Sequence, residues 1–108
     1  MDKNEGKRRA EAFYKQNLPF GVARYIGCRW RSSNHAQAEF CFERVRKGKR
    51  EYVCIVLYEK QLTGSEEDLE RALEATLGSS DYRPCERDYG YAGGGHDSKG
   101  PRPWKRDN

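Results

Sequence analysis

Apolar and polar side chains alternate most regularly over residues 36–58. Ala36, Ala38, Phe40 and Phe42 take every second position, and Val53, Ile55 and Leu57 do the same beyond the basic stretch Arg46-Lys47-Gly48-Lys49. A period of two predicts strands with one buried face. A turn centred on Lys47-Gly48 suits a tight hairpin, because glycine accepts the positive φ such turns need. That centre pairs Phe42 with Val53, Phe40 with Ile55 and Ala38 with Leu57, so both apolar sets share a face. A slip of one residue would destroy the match.

Residues 20–31 read as an earlier strand. Val22, Ile26, Cys28 and Trp30 fall on one side, and Ala23, Tyr25, Gly27, Arg29 and Arg31 on the other. Arg24 is a charged exception on the apolar side, expected to snorkel past the sheet edge. The cluster Ser32-Ser33-Asn34-His35 is turn chemistry and completes a three-stranded meander. Beyond it, Leu69, Ala72, Leu73, Thr76 and Leu77 repeat with a helical period. Ser65 and Asp68 form a shortened capping box at that helix's start, with Glu66, Glu67 and Asp68 in the first turn and Gly78 as the expected left-handed stop. Residues 5–16 favour helix, with Ala10, Phe13 and Tyr14 on one side. Two readings stand for this leader, a short helix docked on the sheet edge or a disordered arm. Pro19 ends any such helix. Residues 79–108 hold five glycines and three prolines without periodicity, which predicts a disordered tail.

The expected fold is α+β: a three-stranded antiparallel sheet with one helix packed on one face. Residues 1–18 form a basic leader, 19–78 the β-β-β-α domain and 79–108 the tail. Composition agrees with a single small core, since only 35% of the 108 residues are hydrophobic and mean hydropathy is −1.13. No run approaches the ~20 apolar residues of a membrane span. No apolar segment follows the basic N-terminus, so no secretory signal is expected and the cytoplasm is the expected compartment.

The net charge of +4 is unevenly spread. Residues 19–64 carry nine Lys/Arg against four Asp/Glu, whereas 65–78 carry one against five. Positive charge therefore collects on the sheet and negative charge on the helix, which directs a polyanion to the sheet. Of the four cysteines, none belongs to a CxxC or CxxH pair, so no zinc site is expected. Cys41 lies across from Cys54 in the predicted register. A cross-strand disulfide fits there, but a cytosolic chain with a core of its own is expected to keep both thiols reduced.

The sheet face away from the helix displays Tyr25, Arg29, Arg31, Arg50, Tyr52 and Tyr58 in this reading, with Arg46, Lys47 and Lys49 at the hairpin tip. These nine are the candidate nucleic-acid-binding residues. Guanidinium groups bond phosphates or base edges, and flat rings stack on bases or sugars. Glu39 and Glu43 on the same face dilute the positive field, and a plain solvated face is the competing reading. The Lys7-Arg8-Arg9 cluster suits phosphates or simply water. His35 sits in a turn and His96 in the tail, and Gly93-Gly94-Gly95 lies outside any strand–helix junction. The expectation is a non-catalytic protein with no cofactor, no metal and no small-molecule substrate.

Gly21-Val22, the tip Lys47-Gly48-Lys49-Arg50 and the helix start Ser65-Glu66-Glu67-Asp68-Leu69 carry a resemblance. Over residues 19–78 the chain resembles the three-stranded DNA-binding domains of phage-integrase arms and plant ethylene-response factors. The resemblance implies a sheet that enters the major groove and a helix that packs behind it, off the DNA. A recombinase catalytic half is absent from the sequence. Two partner classes follow: nucleic acid, with DNA first and single-stranded RNA stacked on Tyr25, Tyr52 and Tyr58 as a variant, or a host protein complex. The second rests on similarity to short charged phage-encoded inhibitors of host machinery, anti-CRISPR proteins among them, in which the acidic helix would imitate nucleic acid.

Overall fold

In the computed structural model, which describes residues 1–31, 33–78 and 82–84, the Lys47-Gly48 turn sets the sheet. Both residues have positive φ, 53° and 77°, as a two-residue hairpin turn with the right-handed twist of its strands requires. Strand β2 (Gln37–Arg46) and strand β3 (Lys49–Tyr58) leave it in the expected register. Phe42 faces Val53, Phe40 faces Ile55, Ala38 faces Leu57 and Cys41 faces Cys54. Strand β1 (Arg24–Trp30) runs antiparallel to β2 on the other side. A two-residue strand β4 (Arg83–Pro84) pairs with β3 at Val53 and Cys54, giving the order β1-β2-β3-β4. The rest of the predicted tail, and Ser32 in the first turn, lie outside the described residues.

Among the described residues, three helices accompany the sheet. Helix α1 (Lys3–Gln16) starts where Asp2 accepts a hydrogen bond from the Glu5 amide at 2.9 Å. Of the two readings for the leader, the helix is the one adopted, and it packs on the face of the sheet as well as near its edge. Tyr14 is fully buried, its ring 5.3 Å from that of Phe40 and 5.2 Å from that of Phe42. The four-residue helix α2 (Glu59–Leu62) follows directly on β3. Gly6 of α1 approaches it so closely that a Cβ there would collide with the Leu62 carbonyl. Helix α3 (Glu66–Leu77) begins with the Ser65 hydroxyl accepting from the Asp68 amide at 3.1 Å, and buries Leu69 and Leu73 as its period demands. It ends without the expected left-handed glycine, since Gly78 has φ −96°.

The core therefore lies between one sheet face and the three helices: Ala10, Tyr14, Cys28, Ala38, Phe40, Phe42, Val53, Ile55, Leu57, Leu62, Leu69 and Leu73 form one buried cluster. The α+β assignment holds, with α1 added to the layer above the sheet. Tyr14 also ties α1 to α3. Its hydroxyl donates to Thr76 Oγ1 at 2.6 Å, and Thr76 in turn donates to the Leu73 carbonyl. Burial pushes the Tyr14 phenol up to about 12.

Strand β1 departs from simple alternation. Its pairing with β2 shifts between Tyr25 and Gly27, so Ile26 is an extra residue in the ladder. The bulge reverses the faces of Arg24 and Tyr25. Arg24, expected on the apolar side, lies opposite Glu43 on the charged face, and Tyr25, expected there, turns toward the helices.

Candidate nucleic-acid interface

The nine sequence candidates separate into three environments. Tyr25 leaves the set altogether. Its ring packs 5.6 Å from that of Phe42, and its hydroxyl donates to Glu11 Oε2 of α1 at 2.7 Å. Burial is the main reason its phenol is held well above its ordinary value. Tyr25 is a core residue that secures α1, and a stacking role for it is corrected on that ground.

Arg29 and Arg31 are structural too. Arg29 is 5% exposed and Glu39 is 0% exposed. The Arg29 guanidinium meets Glu39 Oε1 through Nε at 2.8 Å and Nη2 at 2.7 Å. Arg31 Nε lies 3.9 Å from Glu39 Oε2, and that oxygen also accepts from Cys54 Sγ at 3.1 Å. A charge so enclosed persists because opposite charge and hydrogen bonds replace its water. The centre of the face opposite the helices, from Arg29 through Glu39 to the fully buried Cys41 and Cys54, is thus closed to a ligand as this structure stands.

The third environment is the hairpin end. Glu43 is held by Arg24 of β1, at 3.1 and 3.3 Å, and by Arg50 of β3 at 3.2 Å. The hydrogen bond from Arg24 holds the Glu43 carboxyl below its ordinary value. Unlike the inner pair, these arginines face water, with 54% of the Arg24 and 67% of the Arg50 side chain exposed. Arg46 is similarly exposed and lies 3.9 Å from Glu51, which also pairs with Arg44 at 3.2 Å. Lys47 and Lys49 are exposed at the turn. Tyr52 is half-buried across from Glu43, and Tyr58, at the far end of β3, is exposed and accepts from Arg83 Nη2 at 3.5 Å. Arg46, Lys47, Lys49 and Arg50 therefore stay together in one accessible patch, while Tyr58 lies a strand's length away.

Two features escaped the sequence reading. Exposed apolar side chains border the hairpin end: Phe20 is 76% exposed and Leu18 46%, in the segment between α1 and β1, and Val45 is 58% exposed on β2. Adjacent to the opposite end of the sheet, Trp30 and His35 stack with centroids 4.8 Å apart and planes 6° apart, and Lys7 Nζ lies 5.3 Å from the Trp30 ring. Lys3 donates to the Asn34 carbonyl beside them at 3.3 Å. The Lys7-Arg8-Arg9 cluster is divided by its helix: Lys7 faces Trp30, whereas Arg9 pairs with Glu5 and with Glu66 of α3, both at 2.9 Å.

Among the described residues, no three His, Cys, Asp or Glu side chains are grouped to hold a metal ion, and no helix is long and apolar enough to cross a membrane. A cleft of 320 Å³ lies between α1 and α3, lined by Phe13, Leu69 and Leu73 and rimmed by Arg9, Glu66 and Glu70. No family model, curated protein or solved structure matches this chain.

Proposed function

We propose that this is a non-catalytic, cytoplasmic nucleic-acid-binding protein that engages duplex DNA with the tip of the β2–β3 hairpin. The observation that carries the reading is the patch of Arg46, Lys47, Lys49 and Arg50, carried on a rigid two-residue turn and open to water. Its acidic neighbours Glu43 and Glu51 are each shared between two arginines, so the local field stays positive. A narrow hairpin is one of the shapes the major groove admits. Acidic α3 lies on the opposite layer, as it would in the integrase-arm and ethylene-response-factor arrangement that the sequence resembles. The expectation of a whole sheet face reading DNA narrows accordingly to its hairpin end.

Fluorescence anisotropy with a labelled duplex tests the reading. Log K should fall linearly with log[salt], and replacing Arg46, Lys47 and Lys49 by Ala should flatten that slope by about 2–3, near 0.9 per lost phosphate contact. Absence of binding to duplex and single-stranded DNA even at about 50 mM salt would remove the proposal.

A second reading has its own observation. Phe20 and Leu18 form an exposed apolar pair beside a helix whose outer surface carries Glu66, Glu67, Asp68, Glu70 and Glu74. Such a surface fits a protein inhibitor that docks on a basic, nucleic-acid-binding partner. A stoichiometric, nuclease-resistant complex lost on Phe20→Ser would favour this reading over the first.

A further inference from the structure

We infer that Cys41 and Cys54 are a modification site: the two thiols close to a cross-strand disulfide by exchange with a low-molecular-weight disulfide such as oxidised glutathione. The inference rests on register and is independent of any nucleic-acid partner. Cys41 and Cys54 are directly opposed on neighbouring antiparallel strands. In such a ladder, opposed pairs alternate between those that exchange backbone hydrogen bonds and those that do not. The Glu59 amide donates to the Ala36 carbonyl at 2.9 Å, which marks residues 36 and 59 as a bonded pair. Alternation from there makes 38/57 and 40/55 bonded pairs and leaves Cys41/Cys54 non-bonded. The two-residue turn closed by Arg46 and Lys49 gives the same parity from the other end. Non-bonded pairs bring their Cα atoms to about 4.5 Å, inside the span of roughly 4.4–6.8 Å that disulfides bridge. A bonded pair, at about 5.5 Å, also lies within that span, but the non-bonded pair brings its side chains closer together.

The surroundings supply the rest. Neither cysteine is in a disulfide and both are 0% exposed, on the face opposite the helices. Cys54 Sγ donates to Glu39 Oε2 at 3.1 Å, a carboxylate already held by Arg29 and Arg31. Both sulfurs are 0% exposed, so the exchange runs through local opening of this face. In the opened form one cysteine thiolate attacks a sulfur of oxidised glutathione and expels a glutathione thiolate. The second thiolate then attacks the protein sulfur of the mixed disulfide and expels the other. Two protein thiols and one glutathione disulfide give one protein disulfide and two glutathiones, and the two protons end on the departing thiols. Cys28 lies on the helical side of the sheet, opposite Phe40, where the same chemistry has no opposed thiol.

The test uses the full chain equilibrated with oxidised glutathione, then quenched with acid and denatured. Thiol titration should show two of the four cysteines lost, and intact mass should fall by two hydrogens. A peptide map should join the segments holding Cys41 and Cys54, and dithiothreitol should restore both thiols. A Cys28→Ser/Cys85→Ser variant should behave identically, and a Cys54→Ser variant with an unchanged circular-dichroism spectrum should form no intramolecular bond. Four persisting thiols, a glutathione adduct as the end state, or a bond that uses Cys28 or Cys85 would each overturn the inference.

Discussion

Two glutamates of β2, Glu39 and Glu43, point to the same face of the sheet and are each held by two arginines, yet they belong to different parts of the protein's physics. Glu39 lies level with the core and is completely enclosed, as is most of Arg29. Glu43 lies two pleat repeats closer to the hairpin, and its partners Arg24 and Arg50 are more than half exposed. The same residue types in nearly the same cross-strand arrangement thus make a structural element at one place and an available cationic surface at the other. Depth along the strand decides which. An arginine whose charge is desolvated and fully engaged has none to offer a partner, whereas one still in water can exchange its carboxylate for a phosphate at little cost.

The strongest way to break this comparison is to remove each glutamate in turn. Glu39→Ala should destabilise the fold by about 3–5 kcal/mol in urea unfolding, because it strands the buried Arg29 guanidinium. Glu43→Ala should cost less, about 1 kcal/mol, because although Glu43 is buried, the arginines it leaves behind are already in water. Equal losses would dissolve the distinction. The helical side provides a second measure of burial through Tyr14. Its phenol is raised to about 12 in the folded state, above an unfolded value near 10. The folded protein therefore keeps a proton that the unfolded chain gives up, and stability is intact below about pH 10 and falls as pH rises toward 12. The full fall is on the order of 3 kcal/mol, and Tyr14→Phe should abolish that part of the pH profile. Next in size, Gly6→Ala should cost about 1–3 kcal/mol by driving α1 away from the Leu62 carbonyl, read as a lower urea midpoint. Smallest of all, the Arg46/Lys47/Lys49 triple alanine variant should change stability by no more than about 0.5 kcal/mol per site, so that any loss of binding is a loss of contact.

How far these features were legible depends on the range of the interactions that set them. The β2–β3 hairpin and α3 could be read from the chain because their signals are local: alternation, a Lys-Gly turn, a capped apolar stripe. The bulge at Ile26 was not read, although it left traces. A charged Arg24 on an otherwise apolar side, an aromatic Tyr25 on the polar side and Gly27 two residues beyond are what a register shift leaves behind. The burial of Arg29 was hidden for another reason. Alternation assigns a residue to a face but says nothing of whether that face is wet, and the pairing with Glu39 follows from a loop whose length alone does not fix the register.

The sequence by itself determined which residues face each other across β2 and β3, where the chain turns, and that positive charge belongs to the sheet and negative charge to α3. Periodicity and turn chemistry act between neighbours, so one chain suffices to express them. Only the tertiary structure decided that α1 joins the helical layer, that Tyr25 enters the core, and that Arg29 is spent on Glu39 while Arg46 and Arg50 remain in water. Those outcomes depend on desolvation, which is a property of everything packed around a side chain and is carried by no segment alone.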